Sequence, residues 1–488
     1  MKKTSVVKNY IYNTSYQLLV LLAPLITTPY VSRVLGATGI GIYSYAQSIA
    51  TYFTLAGAVG TTIYGQREIA FVRDDKKRRS EIFWQVSLLR FAGVFIASLI
   101  YFFAFCFGAE YSAVYQILLV EVVATAFDIS WFFMGLENFR LTVIRNTIIK
   151  LAGIIAVFIF VKSSDDVLIY TMCLTLPIFF GNISLWISLP KYLVKVNVNV
   201  SDVLRQLKPS LILFLPQLAT EVYTVLDKTM LGFFASNIDE VGFYTQASKI
   251  IKVALMLVTS LGTVMLPAMS HAYAEGKKDV IVKSITKAFH FVFMLGFAIL
   301  FGICGIAKNF VPIFFGTGYD SVVLLMIFIS PIIIFIAMSN VIGKQYLLPT
   351  KQEKAYTVSV FTGAIVNFIL NWILIIKYDA IGASIATVLA EFSVLFVQAF
   401  LVRKQLNLFR CFMPAVKYFI CLSQRGCICG AIMFIGVYFI GEVLGSGVWT
   451  LLIQIVAGIV IYFVELAITK DSMMAEGINM VMRKIRKE

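Results

Sequence analysis

Val322-Val-Leu-Leu-Met-Ile-Phe-Ile-Ser-Pro-Ile-Ile-Ile-Phe-Ile-Ala-Met-Ser-Asn-Val-Ile342 runs without one charged side chain. A helix rises about 1.5 Å per residue, so about 20 apolar residues cover the hydrocarbon core of a bilayer. Comparable stretches lie on both sides of it. They fall at residues 10 to 31, 42 to 66, 81 to 107, 113 to 135, 141 to 161, 167 to 189, 208 to 235, 243 to 270, 285 to 307, 320 to 342, 355 to 376, 381 to 402, 412 to 440 and 447 to 469. The chain of 488 residues is 60% hydrophobic, with mean hydropathy +0.88. In lipid a lone segment satisfies its backbone polar groups only as a helix. The sequence therefore predicts an all-α, polytopic membrane protein of about fourteen transmembrane helices.

The basic residues alternate between connections. Lys2, Lys3 and Lys8 precede the first span, and Arg67, Arg73, Lys76, Lys77, Arg78 and Arg79 follow the second. Every second connection thereafter is basic, down to Arg483, Lys484, Arg486 and Lys487 in the tail. The others hold little beyond Arg33, Lys162, Lys308 and Lys377. The positive-inside rule then puts both termini in the cytoplasm. The net charge of +15 sits where anionic inner-leaflet lipid would meet it rather than in one patch, which argues against nucleic acid as a partner. The first span is too long for a cleavable signal's apolar part and has no small-residue cleavage site, so it is expected to stay as a helix.

The seven cysteines are scattered and odd in number, which is packing rather than a disulfide framework. Cys427 and Cys429 form a CxC, but His271 and His290 are distant in sequence and no metal site is expected. A more informative pattern is a repeat. Gly41-Ile-Tyr-Ser-Tyr-Ala-Gln-Ser-Ile49 aligns with Gly242-Phe-Tyr-Thr-Gln-Ala-Ser-Lys-Ile250, and Lys76-Lys77 aligns with Lys277-Lys278 at the same offset. Ser32-Arg33 falls opposite Asp227-Lys228 if the second loop is slightly longer. Six-span units entering the membrane in the same sense are related by an axis along its normal, and such transporters hold substrate between the halves. The expectation is a lobe at 1–206, a second at 207–402, and two further helices with a basic tail at 403–488.

Ionisable groups within spans are costly and mark functional or internally paired positions. Gln217, Glu221, Thr224 and Lys228 form one helical stripe, with Asp227 beside it. Glu121, Thr125 and Asp128 repeat the pattern on the fourth span, and Ser384, Thr387 and Glu391 on the twelfth. Arg90, Lys150, Lys249, Lys252 and Arg425 add positive charge. The plain alternative is ion pairing between helices, or snorkelling to the interface. It suits Arg33, Glu121, Lys150 and Arg425 best, whereas the stripe on the seventh span suits a cavity lining. Gly426 and Gly430 read equally as close helix packing.

These residues carry a family likeness. Pro29-Tyr-Val-Ser-Arg-Val-Leu-Gly36 with Gly41 to Gln47 resembles the opening of the Wzx-type polysaccharide flippases, a branch of the multidrug/oligosaccharidyl-lipid/polysaccharide exporter superfamily. Phe127-Asp-Ile-Ser-Trp-Phe-Phe-Met-Gly-Leu-Glu137, running on to Arg145, Asn146 and Lys150, resembles its fourth and fifth spans. Val225-Leu-Asp-Lys-Thr-Met-Leu-Gly232, Gln345-Tyr-Leu-Leu-Pro-Thr-Lys351, and Gly382-Ala383 with Glu391 match later segments, so the likeness covers residues 5 to 402 in order. It implies a two-lobed transporter in the bacterial cytoplasmic membrane. Such a protein moves an undecaprenyl-pyrophosphate-linked oligosaccharide to the outer leaflet by alternating access, without a cofactor. It also implies contact with a polysaccharide polymerase and other assembly proteins.

On that reading Arg33, Arg90, Lys228, Lys249 and Lys252 face the pyrophosphate, and Gln217, Thr224, Asn367 and Asn371 face the sugar. Glu221, Asp227, Asp128 and Glu391 balance cations or carry protons. The chain has no GxxxxGK[ST] for nucleotide. An ion-coupled multidrug antiporter of the same superfamily is the alternative, but residues 10 to 31 lack the acid that branch places in its first span. A membrane glycosyltransferase or polymerase would need a catalytic carboxylate or base on an outer connection, and these are short. The stripe yields a first prediction. Lys228→Ala, normally inserted, should lower translocation of a lipid-linked oligosaccharide in proteoliposomes by roughly tenfold or more, the worth of one charge-assisted contact.

Overall fold

The computed structural model describes residues 6–408, 412, 429–468, 471 and 473–475. The side chains of residues 6–18, 21, 215–217, 219, 220, 222, 223, 261–264, 266–268 and 429 lie outside that description. The chain order is α1 (Val6–Ala58), α2 (Thr61–Phe71), α3 (Lys76–Phe105), α4 (Ser112–Phe127), α5 (Ser130–Gly135), α6 (Phe139–Phe160), α7 (Val167–Ser188) and α8 (Val200–Phe234). There follow α9 (Asp239–Ala274), α10 (Lys278–Phe314), α11 (Asp320–Ile329), α12 (Ile332–Ile342), α13 (Glu353–Val402), α14 (Cys429–Leu444) and α15 (Val448–Ile468). Among the described residues there is no strand, and nine helical segments are long and apolar enough to cross a membrane.

The expected spans map onto these helices with joins and breaks that hydropathy does not show. Spans one and two are run together in α1 and turn at Gly36 (φ 68°, ψ −178°), a left-handed backbone that glycine adopts without a Cβ penalty. Spans eleven and twelve join in α13 across Asp379 (φ 47°). Span four instead divides between α4 and α5 at Asp128, and span ten at Pro331, where α12 begins. Cys427 and Arg425 lie outside the described residues.

By packing, the chain forms two compact units, Met1–Thr245 and Gln246–Glu488. In the first, α1 packs on α3, α4, α6 and α8, and α4 packs on α7. An aromatic core of Phe83, Trp131, Phe132 and Phe133, all fully buried, joins α3 to α5 near Ile69 of α2. Gly65 and Gly135 make room for it, since a Cβ on Gly65 would press into the Trp131 ring and one on Gly135 into the backbone at Gln66. The first half of α8 is fixed to this unit by Ser210 Oγ donating to Val59 O (2.5 Å) and by Gln206, which bonds Tyr64 and Gln85. This docking carries the packing boundary past the sequence repeat's 206/207.

The repeated words meet inside this unit. A Cβ on Gly41 would overlap Ile238 O, and one on Gly242 would overlap Ala37 O. Thr38 Oγ1 donates to Asp239 Oδ1 at 2.6 Å, across a separation of 201 residues. That is the offset at which the two words align. The Gly41–Ile238 and Ala37–Gly242 contacts exchange under that offset, with Thr38–Asp239 near the crossing point.

In the second unit α10 is the hub, packing on α11, α12, α14 and α15. Asn309 donates to Gln454 (3.0 Å), Gln454 to Val437 O (2.8 Å), and Tyr462 to Met294 O (2.6 Å), which binds α14 and α15 to α10. Helices gain no hydrophobic drive to associate within lipid, so small residues and buried hydrogen bonds of this kind set the contacts.

The glycine crossing makes a prediction. Gly41→Leu must push backbone against backbone and should destabilise the protein by about 1–3 kcal/mol, the usual cost of overpacking. Gly302→Ala, whose Cβ meets nothing within 4 Å, should be neutral or stabilising. Thermal unfolding in detergent, followed by size-exclusion fluorescence, compares the two.

Candidate functional site

The fourth-span stripe decides where the polar interior lies. Glu121 and Thr125 project from α4, which ends at Asp128 because that residue turns extended (ψ 100°) and its carboxylate accepts from Ser130 N (3.0 Å). All three line one cavity of about 570 Å³ inside the first unit. Its other walls include Tyr43 of α1, Arg145, Asn146 and Lys150 of α6, and Tyr170 and Asn182 of α7.

Asp128 lies between two guanidinium groups. Arg145 Nη2 stands 3.5 Å and Arg90 Nη2 3.8 Å from its oxygens. The Asp128 side chain is 26% exposed, Arg145 11% and Arg90 3%, so the carboxylate is the wet member and Arg90 the buried one. Arg145 also donates through Nη1 to Asn182 Oδ1 (2.5 Å), and Asn182 in turn donates to Ala124 O (2.8 Å). Arg145 Nε, and Arg90 Nε and Nη1, have no hydrogen-bond partner among the described residues. Glu121 accepts from Gln47 Nε2 at 2.9 Å. Asn146 and Lys150, four residues apart on α6, line the chamber and have no hydrogen-bond or ion-pair partner among the described residues. Three cationic groups thus meet two carboxylates here; the Lys150 ammonium has no partner among the described residues, and of the Arg145 guanidinium only the buried Nε is unpaired.

The residues singled out from the sequence divide between the units. In the first, Arg33 is exposed just before the Gly36 turn, and Arg90 and Asp128 are brought together. Asp227 is buried and accepts from Tyr244 Oη. Lys228 and Glu221 are half-buried, Thr224 is exposed and bonds Glu221 O (2.8 Å), and the Gln217 side chain lies outside the described ones. In the second unit Lys249 is half-buried and Lys252 exposed on α9. Asn367 and Asn371 are fully buried and bonded to each other (3.1 Å), and Glu391 is 9% exposed on the second half of α13.

Two positions read from the sequence as structural, Glu121 and Lys150, line the cavity, and Glu121 also ties α4 to Gln47 of α1. Arg145 and Asn146 stand in the sequence as elements of the motif that resembles the fourth and fifth spans. Their signal was the spacing of Asn146 and Lys150, one helical turn apart. Outside the membrane helices, Asp166 accepts from Lys162 N (2.7 Å) and Ser163 N (2.8 Å) before α7, and these bonds hold its carboxyl below the usual range. Among the described residues no group of three His, Cys, Asp or Glu side chains is placed to hold a metal ion.

Comparison with known proteins bears on this site. The family model described as "Polysaccharide biosynthesis protein" matches residues 6–273. A "Putative O-antigen transporter" of Escherichia coli (strain K12) is 27% identical over 403 residues, covering 80% of this chain and 94% of that protein. Among solved structures, "Lipid II flippase MurJ, inward closed conformation" superimposes with a TM-score of 0.76 at 16% identity, covering 95% of this chain and 100% of that one. An inward-facing multidrug resistance MATE family transporter of the MOP superfamily gives 0.61 at 13% identity, covering 82% of this chain and 98% of that one. Those two structures establish the fold.

Asp128 generates a prediction. Asp128→Asn removes the only carboxylate within 4 Å of either guanidinium among the described residues, and breaking one side of a buried ion cluster costs about 3–5 kcal/mol. Adding Arg90→Met should recover a large part of that loss. A double-mutant cycle on thermal stability reads the coupling.

Proposed function

The chain belongs to the polysaccharide biosynthesis protein family, and we propose on that premise that it is a flippase moving a lipid-linked oligosaccharide across the membrane. The observation that carries the reading is the chamber of the first unit, polar and cation-rich within an apolar bundle, with Lys150 unpaired among the described residues. Sugar hydroxyls and phosphates cannot cross hydrocarbon unaided, since unsatisfied polar groups cost several kcal/mol each there. A wet chamber replaces that cost with hydrogen bonds, and fixed guanidinium and ammonium groups compensate a phosphate anion.

The finer reading names an undecaprenyl-pyrophosphate-linked repeat unit, carried from inner to outer leaflet by alternating access for surface polysaccharide synthesis. Both termini are then cytoplasmic, and a polymerase takes the product. Relatives named as transporters support transport rather than catalysis. Arg145 and Lys150 hold phosphate, Asn146 bonds sugar, and Asp128 keeps Arg145 in place. Arg33 and Lys228 add positive charge elsewhere in the same unit. Outward movement of one negative charge gains about 2.3 kcal/mol per 100 mV of inside-negative potential, so voltage suffices to drive an anionic head group.

Lys150→Gln should cut translocation of a lipid-linked oligosaccharide in proteoliposomes by about tenfold or more, the effect of one lost charge-assisted bond. Lys162→Gln, on the connection between α6 and α7, should leave it unchanged. Full transport by inserted, folded Lys150→Gln removes the chamber from the mechanism, and export of a soluble cationic drug in its place turns the reading to the antiporter.

A further inference from the structure

A second cavity lies against the chamber. It is an apolar groove of about 830 Å³ between α6 and α7, on the side of these helices away from α1 and α4. Ile148 (61% exposed), Met172, Leu176 and Phe180 form its open walls. Its volume falls in the upper part of the roughly 300–1,000 Å³ range of sites that bury a ligand.

Groove and chamber share Arg145 and Ile149 as wall residues. The partition between them is thin because α6 and α7 meet on small residues. A Cβ on Gly181 would overlap Ile149 Cδ1 and stand 3.5 Å from Arg145 Cδ, and one on Gly153 would stand 3.3 Å from Cys173 O. Pro177, on the groove wall, has no N–H to complete the helical bond to Cys173 O. Ile149 therefore sits in a notch over Gly181, with a guanidinium beside it. One side of that notch is polar and cationic and the other is hydrocarbon.

We propose that this groove seats the polyprenyl chain of the transported lipid, with its phosphate held across the notch by Arg145 and Lys150. The occupant follows from charge and shape. The unpaired Lys150 beside Arg145 suits an anion on the chamber side, and the groove lining suits an apolar chain on the other. Arg145 and Ile149 line both spaces, so a phosphate at Arg145 lies next to a prenyl chain in the groove. The inference rests on the flippase reading and adds a tail site on α6 and α7.

The test uses full-length protein in phosphatidylethanolamine/phosphatidylglycerol vesicles containing tritiated undecaprenyl phosphate. Photoreactive benzoylphenylalanine is placed at Ile148 or Leu176, and for comparison at Ile435 or Phe439, lipid-exposed positions of α14. Labelling at the groove should exceed the comparison sites by roughly tenfold, a ratio that separates a site from bulk lipid. It should fall with Arg145→Gln and with excess unlabelled undecaprenyl phosphate, but not with dioleoyl phosphatidic acid. Equal labelling at all four positions overturns the proposal, as does competition by phosphatidic acid, or crosslinking to a second copy of the chain in place of the prenyl lipid. Translocation is measured on the same vesicles before irradiation. Active vesicles without groove labelling refute the tail site alone, whereas groove labelling in vesicles that translocate nothing refutes the flippase reading and leaves the lipid site standing.

Discussion

Two guanidinium groups and one carboxylate share the interior of the first unit, and the membrane makes their geometry obligatory. A lone arginine or aspartate in hydrocarbon costs about 2.5–3.5 kcal/mol on insertion scales. Arg90 of α3, Asp128 at the end of α4 and Arg145 of α6 can therefore be buried only where the three helices converge. Asp128 also ends α4 and bonds Ser130 N, which starts α5 and delivers Trp131, Phe132 and Phe133 to the aromatic core. One side chain thus sets a helix end, joins three helices and keeps a charged surface open to the chamber.

The remaining architecture follows from how closely helices approach. Gly41 against Ile238, Gly242 against Ala37, Gly57 against Val94 and Gly232 against the Tyr45 ring are contacts a Cβ would obstruct. Within lipid there is little gain from hiding apolar surface between helices, so backbone approach and hydrogen bonds such as Thr229 to Ser48 (2.8 Å) carry the association. Large apolar side chains including Phe95, Phe180, Phe396 and Phe439 are correspondingly left facing outward. In a water-soluble protein such an exterior would be an aggregation surface.

Much of this was legible in the residues. Span number, helical class and the repeat follow from apolar length and word matching, because the bilayer imposes one length and one secondary structure. The stripe of Glu121, Thr125 and Asp128 was visible as a periodicity, and all three do share a cavity. Helix breaks were not visible. Asp128 and Pro331 interrupt apolar runs that hydropathy reads through. The role of Arg145 was not legible, because a positive charge near a span end suits both snorkelling to the interface and a buried ion cluster. Only the position of Asn182 and Asp128 across the bundle separates the two.

Charge balance separates the competing transport modes more sharply than fold does. A cation exporter needs acids that alternate between substrate and coupling ion, and such a site carries net negative charge when empty. Here the acids are already engaged, Asp128 by two arginines and Glu121 by Gln47. Lys150 alone is unpaired among the described residues of this chamber. An anion entering such a chamber is attracted, while a cation meets repulsion that the low surrounding dielectric strengthens. The fold is shared with multidrug transporters, but the unpaired charge among the described residues of this chamber is positive.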